Sequence, residues 1–175
     1  MALLAPEKVT GIIPLGTSMD YEWERTRSLG CWNGPADLTP SIDAWTTTKE
    51  TPEFEPGEEY SDFLIDSGFG KECEAETRKF WNNEIRVNYQ GDNGRRTIRM
   101  AAINLRERDG LLGWLVYFKC PVLWLHGTAN PVYSVSNADP DAQLKVVEGG
   151  QHFLSFSHPK EVDSALIEFL GKYGK

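Results

Sequence analysis

The stretch Cys120-Pro-Val-Leu-Trp-Leu-His-Gly-Thr-Ala-Asn-Pro131 joins a short apolar run to a polar turn. Its Val, Leu and Trp residues are typical of a strand that is buried on both faces, as in a parallel sheet. Gly127 and Pro131 interrupt the segment that follows, which indicates a loop. We therefore expect a buried strand over Cys120–Leu125 with polar side chains projecting from the loop after it.

Two further apolar runs indicate strands on either side of this one in the chain. The first is Val9–Leu15, in which we expect Pro14 to lie at the strand end, where no N–H donor is needed. The second is Gln143–Val147, which leads into a glycine-rich turn ending at His152. A last amphipathic helix is predicted from Pro159, with its core face formed by Val162, Ala165, Leu166, Phe169 and Tyr173.

Between the first strand and the second, the chain changes character. Charged and aromatic residues alternate there with Pro and Gly, and helical spacing of apolar residues appears over Glu74–Tyr89 and Arg95–Arg108. We interpret residues 18–113 as a mostly helical insertion or cap, and residues 1–17 with 114–175 as the core. Strand, helical insertion, two strands and a helix form an α/β pattern.

Composition excludes several classes of function. The 175 residues carry a formal net charge of −8 and a pI near 4.9, so a phosphate backbone is not an expected partner. Three cysteines without C-x-x-C spacing argue against a disulfide framework and a zinc site. No apolar run has the length of a membrane span, and the N-terminus lacks the features of a signal peptide. We expect a cytoplasmic protein without metal or cofactor.

In order along the chain, three segments together resemble the α/β-hydrolase family. Met1–Asp20 resembles the end of the nucleophile helix and the strand after it, Cys120–Pro131 the late strand and acid loop, and Val146–Pro159 the last strand and histidine loop. The resemblance is to a fungal esterase- and lactonase-like branch. It implies a partial α/β-hydrolase fold with about three parallel strands, a helical cap insertion and a C-terminal helix. It also implies a small hydrophobic ester or lactone as the substrate.

The chemistry of that family needs a serine, a carboxylate and a histidine, in this order along the chain. The serine attacks the acyl carbon, the histidine takes its proton, and the carboxylate orients the imidazole. The resemblance places His152 at the position of the general base. An isolated loop histidine is more often without a catalytic role, and we expect His126 and His158 to be structural.

The position of the family acid is occupied by Asn130. An amide can hydrogen-bond to an imidazole but carries no charge and can favour the wrong tautomer. In the serine-protease template, an Asp-to-Asn change lowers turnover by roughly ten-thousand-fold. Asp139 or Asp141 could substitute for the acid, but both have the pattern of turn residues.

The nucleophile elbow G-x-S-x-G does not occur in the sequence. The nearest match is Gly16-Thr-Ser-Met-Asp20, which makes Ser18 a weak candidate for the nucleophile. An elbow needs a small residue two places after the serine, and Asp20 places a charged side chain there. The alternative interpretation is a turn that joins the strand to the cap.

Three functional hypotheses remain open from the sequence. The first is a member of the hydrolase family that lacks the nucleophile and is inactive as an isolated chain. The second is a minimal hydrolase that uses Ser18 and His152, and the third is a non-catalytic binding module on the same fold. Cap aromatics such as Trp45 and Trp81 serve either an acyl pocket or the core of the cap itself. We also expect self-association through an open strand edge at Val9–Leu15.

Overall fold

The computed structural model describes residues 1–138 and 142–174, so Asp139 and Asp141 lie outside the described residues. The chain divides into two compact units. One comprises Met1–Trp32 together with Asp109–Lys175, and the other comprises Asn33–Arg108. The predicted cap boundaries at residues 18 and 113 remain a prediction, because a division into compact units does not define a cap.

The first unit contains a parallel sheet of two strands, β1 (Leu123–Gly127) and β2 (Gln143–Val147). Leu123 lies opposite Gln143, and the register continues to Gly127 opposite Val147. The bounds of β2 agree with the sequence prediction, whereas β1 begins later than predicted and extends through Gly127. All five residues of β1 are buried, as expected for a strand with neighbours on both sides.

The predicted strand Val9–Leu15 is present only as a broken ladder beside β1. Isolated parallel bridges join Ile12 to Val122 and Leu15 to Leu125. The expectation that Pro14 lies at the strand end is wrong, because Pro14 sits between these two bridges. We call residues 9–16 the edge segment.

The hydrogen bonds of the edge segment explain why the ladder is broken. The Ile12 N–H donates to the Pro121 carbonyl at 3.0 Å, and the Gly16 N–H donates to the Leu125 carbonyl at 2.8 Å. The position between them is Pro14, which has no N–H to donate. Its carbonyl still accepts from the Leu125 N–H at 3.0 Å, so the segment stays paired with β1. One missing donor therefore separates a third parallel strand into two bridges.

The first unit also contains the helices α1 (Glu24–Ser28), α6 (Leu154–Ser157) and α7 (Pro159–Tyr173). The predicted C-terminal helix is confirmed, and Pro159 occupies its first turn, where a missing N–H costs nothing. Short 3-10 turns cover Pro6–Lys8, Leu112–Tyr117 and Val135–Asn137. The core of the unit consists of strand and helix residues Leu123, Leu125, Val147, Leu154, Val162, Ala165 and Phe169.

The second unit is entirely helical over its regular elements. It contains α2 (Gly34–Ala44), α3 (Glu58–Phe69), α4 (Ala75–Asn88) and α5 (Gly91–Arg106). The helices predicted near Glu74–Tyr89 and Arg95–Arg108 correspond to α4 and α5. Pairs α2 with α5 and α3 with α4 pack together. The core of this unit is formed by Leu38, Ile42, Trp45, Ile65, Ile98 and Ala102.

Aromatic side chains serve the core of the second unit. The ring centroid of Trp45 lies 4.7 Å from that of Tyr60 and 6.4 Å from that of Phe54, in edge-to-face contacts. The buried Arg95 donates to the Trp45 carbonyl at 2.8 Å, which ties α5 to the end of α2. Trp45 is therefore a structural residue of this unit. None of the helices in the described part of the chain has the length and apolar character of a membrane span.

Candidate functional site

The loops after β1 and β2 meet at a close approach of two glycines. A Cβ atom on Gly127 would lie 2.1 Å from the Gly150 carbonyl oxygen, so only glycine fits at this position. The Ala129 N–H donates to the same carbonyl at 3.0 Å, and the Thr128 N–H donates to the Val147 carbonyl at 3.0 Å. These contacts fix the two loops together at the carboxyl ends of the parallel strands, where ligands of α/β folds commonly bind.

Asn130 is buried in the first of these loops, and every polar atom of its side chain is used. Its Oδ1 accepts from the N–H groups of Val132 at 2.9 Å and Tyr133 at 3.2 Å, which shapes the turn. Its Nδ2 donates to the Gly16 carbonyl at 2.6 Å. Asn130, which the sequence resemblance places at the position of the family acid, thus connects the first loop to the edge segment.

His152 contacts the same carbonyl from the second loop. Its Nδ1 lies 2.9 Å from the Gly16 oxygen, and its ring packs near Tyr133 and Phe153, with centroids at 6.0 Å and 5.6 Å. Burial lowers the pKa of His152 below its usual value, the hydrogen bond to Gly16 opposes this shift, and the nearby His126 adds to it. The structure therefore brings Asn130 and His152 together through a shared backbone acceptor rather than through direct contact.

The Gly16 carbonyl can accept from both side chains because of the backbone conformation of this residue. Its φ angle is +60°, in the left-handed region that favours glycine. A Cβ atom there would lie 2.6 Å from the His152 carbonyl oxygen, so the two backbones approach too closely for any side chain. The Gly16 carbonyl is thereby turned away from the ladder and toward the loop residues.

Tyr133 and Glu22 belong to the same cluster, although no motif or periodicity in the sequence pointed to them. The Tyr133 hydroxyl donates to Glu22 Oε1 at 2.6 Å, and both side chains are buried. Trp32 Nε1 donates to the same carboxylate oxygen at 3.3 Å. A glutamate in a charged, irregular region carries no periodic signal, so its burial is visible only in the structure.

His126 lies at the end of β1 and is fully buried, with 0% of its surface exposed. Its Nε2 lies 2.8 Å from the Tyr133 carbonyl and must carry the proton in that contact, since a carbonyl only accepts. Its Nδ1 has no hydrogen-bond partner among the described residues. Burial lowers the pKa of His126, and the contact with Tyr133 opposes this shift. This environment suits a neutral packing residue.

Ser18 makes no hydrogen bond to Asn130 or His152 among the described residues. It is 7% exposed, and its Oγ accepts from the Asp20 N–H at 3.0 Å. Within the part of the chain that the structure describes, no hydrogen bond joins Ser18 to His152. No residue other than glycine has a positive φ angle among the described positions, and α1 begins only at Glu24. The local geometry is that of a side-chain-capped turn.

The space beside Ser18 is small. A cavity of about 30 Å³ is bounded by Ser18, Asp20, Arg25, Trp124 and Asn137, among other residues. This volume holds about one water molecule and no acyl group. Among residues 1–138 and 142–174, no group of three His, Cys, Asp or Glu side chains is arranged to hold a metal ion.

The hydrogen bonding of His152 leaves one ring nitrogen able to accept a proton. With Nδ1 bonded to the Gly16 carbonyl, Nε2 of His152 has no hydrogen-bond partner within the described residues and carries the free lone pair. An imidazole with a lowered pKa is neutral near pH 7 and is able to accept a proton there. The site thus offers a proton acceptor, while the 175 residues contain no serine elbow to supply the proton.

The chain is similar in structure to several solved proteins. An esterase from Thermogutta terrifontis superposes with a TM-score of 0.69 at 16% identity over 99% of this chain. A hydrolase from Oleispira antarctica gives 0.73 at 14% over 97%, and an esterase from a Rhodococcus species gives 0.65 at 17% over 98%. This chain covers 60%, 59% and 59% of those chains, respectively. No protein-family model and no curated protein sequence matches the chain.

The chain therefore has a partial α/β-hydrolase fold, which confirms the fold expected from the sequence resemblance. The structures it matches are esterases and hydrolases, and it spans about 60% of their length. Nothing in the comparisons distinguishes a fungal branch.

Proposed function

We propose that this chain carries the general base and the cap of a serine-type hydrolase for small hydrophobic esters or lactones. His152 is the base, and the helices between residues 18 and 113 form the cap. The isolated 175-residue chain has no nucleophile and does not hydrolyse esters. The fold supports the hydrolase class, and the orientation of the His152 ring supports the role of that residue.

The proposal rests chiefly on the hydrogen bonding of the His152 ring. A loop histidine without function has no need of a fixed ring, yet the ring of His152 is held at Nδ1 and left open at Nε2. This is the arrangement that a proton-accepting imidazole requires in the Ser-His template. The depressed pKa keeps the ring in its proton-accepting form at neutral pH.

The alternative of a minimal hydrolase using Ser18 is less well supported. Ser18 Oγ accepts from the Asp20 N–H, and the neighbouring cavity of about 30 Å³ leaves no room for an acyl group. A nucleophile must be within hydrogen-bond reach of its base, at about 2.6–3.2 Å or through one water. The structure shows no such bond among its described residues.

The proposal is tested by a pair of measurements on the purified chain. With an activated aryl ester such as p-nitrophenyl butyrate, we expect the same slow rate for the wild type and for Ser18→Ala. With diethyl pyrocarbonate, which acylates neutral imidazole, we expect modification of His152 and none of the fully buried His126, read by peptide mass spectrometry.

Two outcomes would contradict the proposal. Turnover by the wild type that disappears in Ser18→Ala would establish the minimal hydrolase instead. Protection of His152 from the reagent, while the folded protein is intact by circular dichroism, would show that Nε2 is not an available base. Free imidazole at matched concentration is the control for the intrinsic reactivity of the ring.

A further inference from the structure

The Gly16 carbonyl accepts two side-chain hydrogen bonds at the centre of the site. His152 Nδ1 lies at 2.9 Å and Asn130 Nδ2 at 2.6 Å from this oxygen. A carbonyl oxygen has two lone pairs, so both donors can be satisfied at once. The oxygen itself is fixed, because the Gly16 N–H is bonded to the Leu125 carbonyl of β1 at 2.8 Å.

The surrounding contacts settle which atoms are donors. The Asn130 amide cannot be turned over, since its Oδ1 accepts two backbone N–H groups from Val132 and Tyr133. Its NH₂ group must therefore face Gly16. The same oxygen can only accept from His152, which requires the proton of the neutral ring to be on Nδ1. The lone pair is then on Nε2.

We infer that the Gly16 backbone carbonyl, held in place by Asn130, positions the His152 ring and selects its tautomer in place of a side-chain carboxylate. The inference rests on the proposed role of His152 as a base. Gly16 and Asn130 are positioning residues, because neither presents a group to a reacting atom. The amide of Asn130 is suited to this role, because its NH₂ group donates a hydrogen bond to the Gly16 carbonyl and an ionised carboxylate has no hydrogen to donate.

The reason for an amide at position 130 is electrostatic. A carboxylate there would place a negative oxygen against the Gly16 carbonyl oxygen, which already carries a partial negative charge. The amide instead donates to that oxygen and cancels the repulsion. Burial lowers the pKa of His152, and a neutral backbone acceptor opposes this shift less than a carboxylate would.

The direct test is the ¹⁵N NMR spectrum of the histidine side chains in the full chain. Above the pKa, we expect His152 to show the pattern of the Nδ1-protonated tautomer, with a pyrrole-type Nδ1 and a pyridine-type Nε2. His152→Gln identifies the resonances. The Nε2-protonated pattern for His152 would overturn the inference, because Nδ1 would then have no proton to donate to Gly16.

A matched pair of variants tests the part played by Asn130. Asn130→Asp keeps the oxygen that accepts from Val132 and Tyr133 but replaces the NH₂ that faces Gly16. Asn137→Asp is the control, because Asn137 Nδ2 donates to another backbone carbonyl, that of Leu29, at 3.1 Å. Both changes add one negative charge to the first unit.

We expect Asn130→Asp to raise the pKa of His152 by about one unit or more, and Asn137→Asp to change it by a small fraction of that. Equal responses in the two variants would contradict the role of Asn130. If Asn130→Asp does not fold, the wild-type tautomer still decides the inference. Because neither readout uses ester turnover, a failure here is distinguishable from a failure of the proposed function.

Discussion

At the scale of single residues, the His152 ring is oriented by a backbone carbonyl, that of Gly16, rather than by a carboxylate side chain. The resemblance selected both His152, in its glycine-rich turn, and Asn130. The shared acceptor could not be predicted, because a backbone carbonyl has no sequence signature and the turn of Gly16 depends on its φ of +60°. Tyr133 and Glu22 could not be predicted either, because the burial of a polar side chain depends on tertiary contacts.

His126 and His152, whose pKa values are both lowered in the folded chain, predict a pH dependence of stability. Burial lowers the pKa of both His126 and His152, so below about pH 6.5 the unfolded chain binds more protons than the folded one. The free energy of unfolding should therefore fall as the pH drops through 6.5, and level off below the folded-state pKa values. The lowered pKa of Asp92 acts in a separate window, at more acidic pH.

Urea unfolding at a series of pH values between 8 and 5 checks this prediction. In His152→Gln, we expect a shallower fall than in the wild type, because one of the two depressed histidines is gone. A free energy of unfolding that rises toward pH 5 in the wild type would mean that the histidines are stabilised in their charged form, against their buried environments.

At the scale of elements, the edge segment shows which secondary structure the hydrophobic pattern could predict and which it could not. Periodicity predicted β2, α4, α5 and α7, because long regular runs dominate their local signal. It did not predict α2 or α3 as helices. Pro40 lies inside α2 and Gly68 lies inside α3, so each contains a residue that normally argues against a helix interior. Pro14 likewise divided a strand that the apolar pattern presented as continuous.

The edge segment also leaves backbone groups without partners. Its bonds to β1 use Ile12, Pro14 and Gly16, whereas the N–H groups of Gly11, Ile13 and Leu15 make no backbone hydrogen bond within the described residues. Alternate residues of a strand point their N–H groups to opposite sides, so these three form an open edge. We propose that a second copy of the chain pairs there.

A charge on the edge segment tests this association. Thr10→Lys places a lysine on an exposed residue of the segment and should shift the monomer–dimer balance toward monomer in sedimentation velocity. Thr48→Lys is the matched control, since Thr48 is equally an exposed threonine but lies in the second unit. A wild-type chain that stays monomeric at high concentration, or an equal effect of both variants, would contradict pairing through this edge.

The whole molecule, at the largest scale, has the fold of a hydrolase over only part of a hydrolase's length. The fold could be predicted because three short motifs in a fixed order specify it, even where sequence identity to the matched structures is 14–17%. Several apolar side chains remain exposed on the first unit, among them Leu144 at 42%, Val146 at 47% and Ile167 at 72%. Function could be predicted only as far as the residues of this sequence allow, which include the proposed base His152 and no G-x-S-x-G elbow.

The most direct test of the account is the reaction of the purified chain with a fluorophosphonate, followed by intact-mass spectrometry. This reagent bonds covalently to a serine hydroxyl that an adjacent base activates. We expect no adduct, because no hydrogen bond joins His152 to a serine among the described residues. A stoichiometric adduct on Ser18, lost in His152→Ala, would contradict it and would show that the chain contains a complete nucleophile and base.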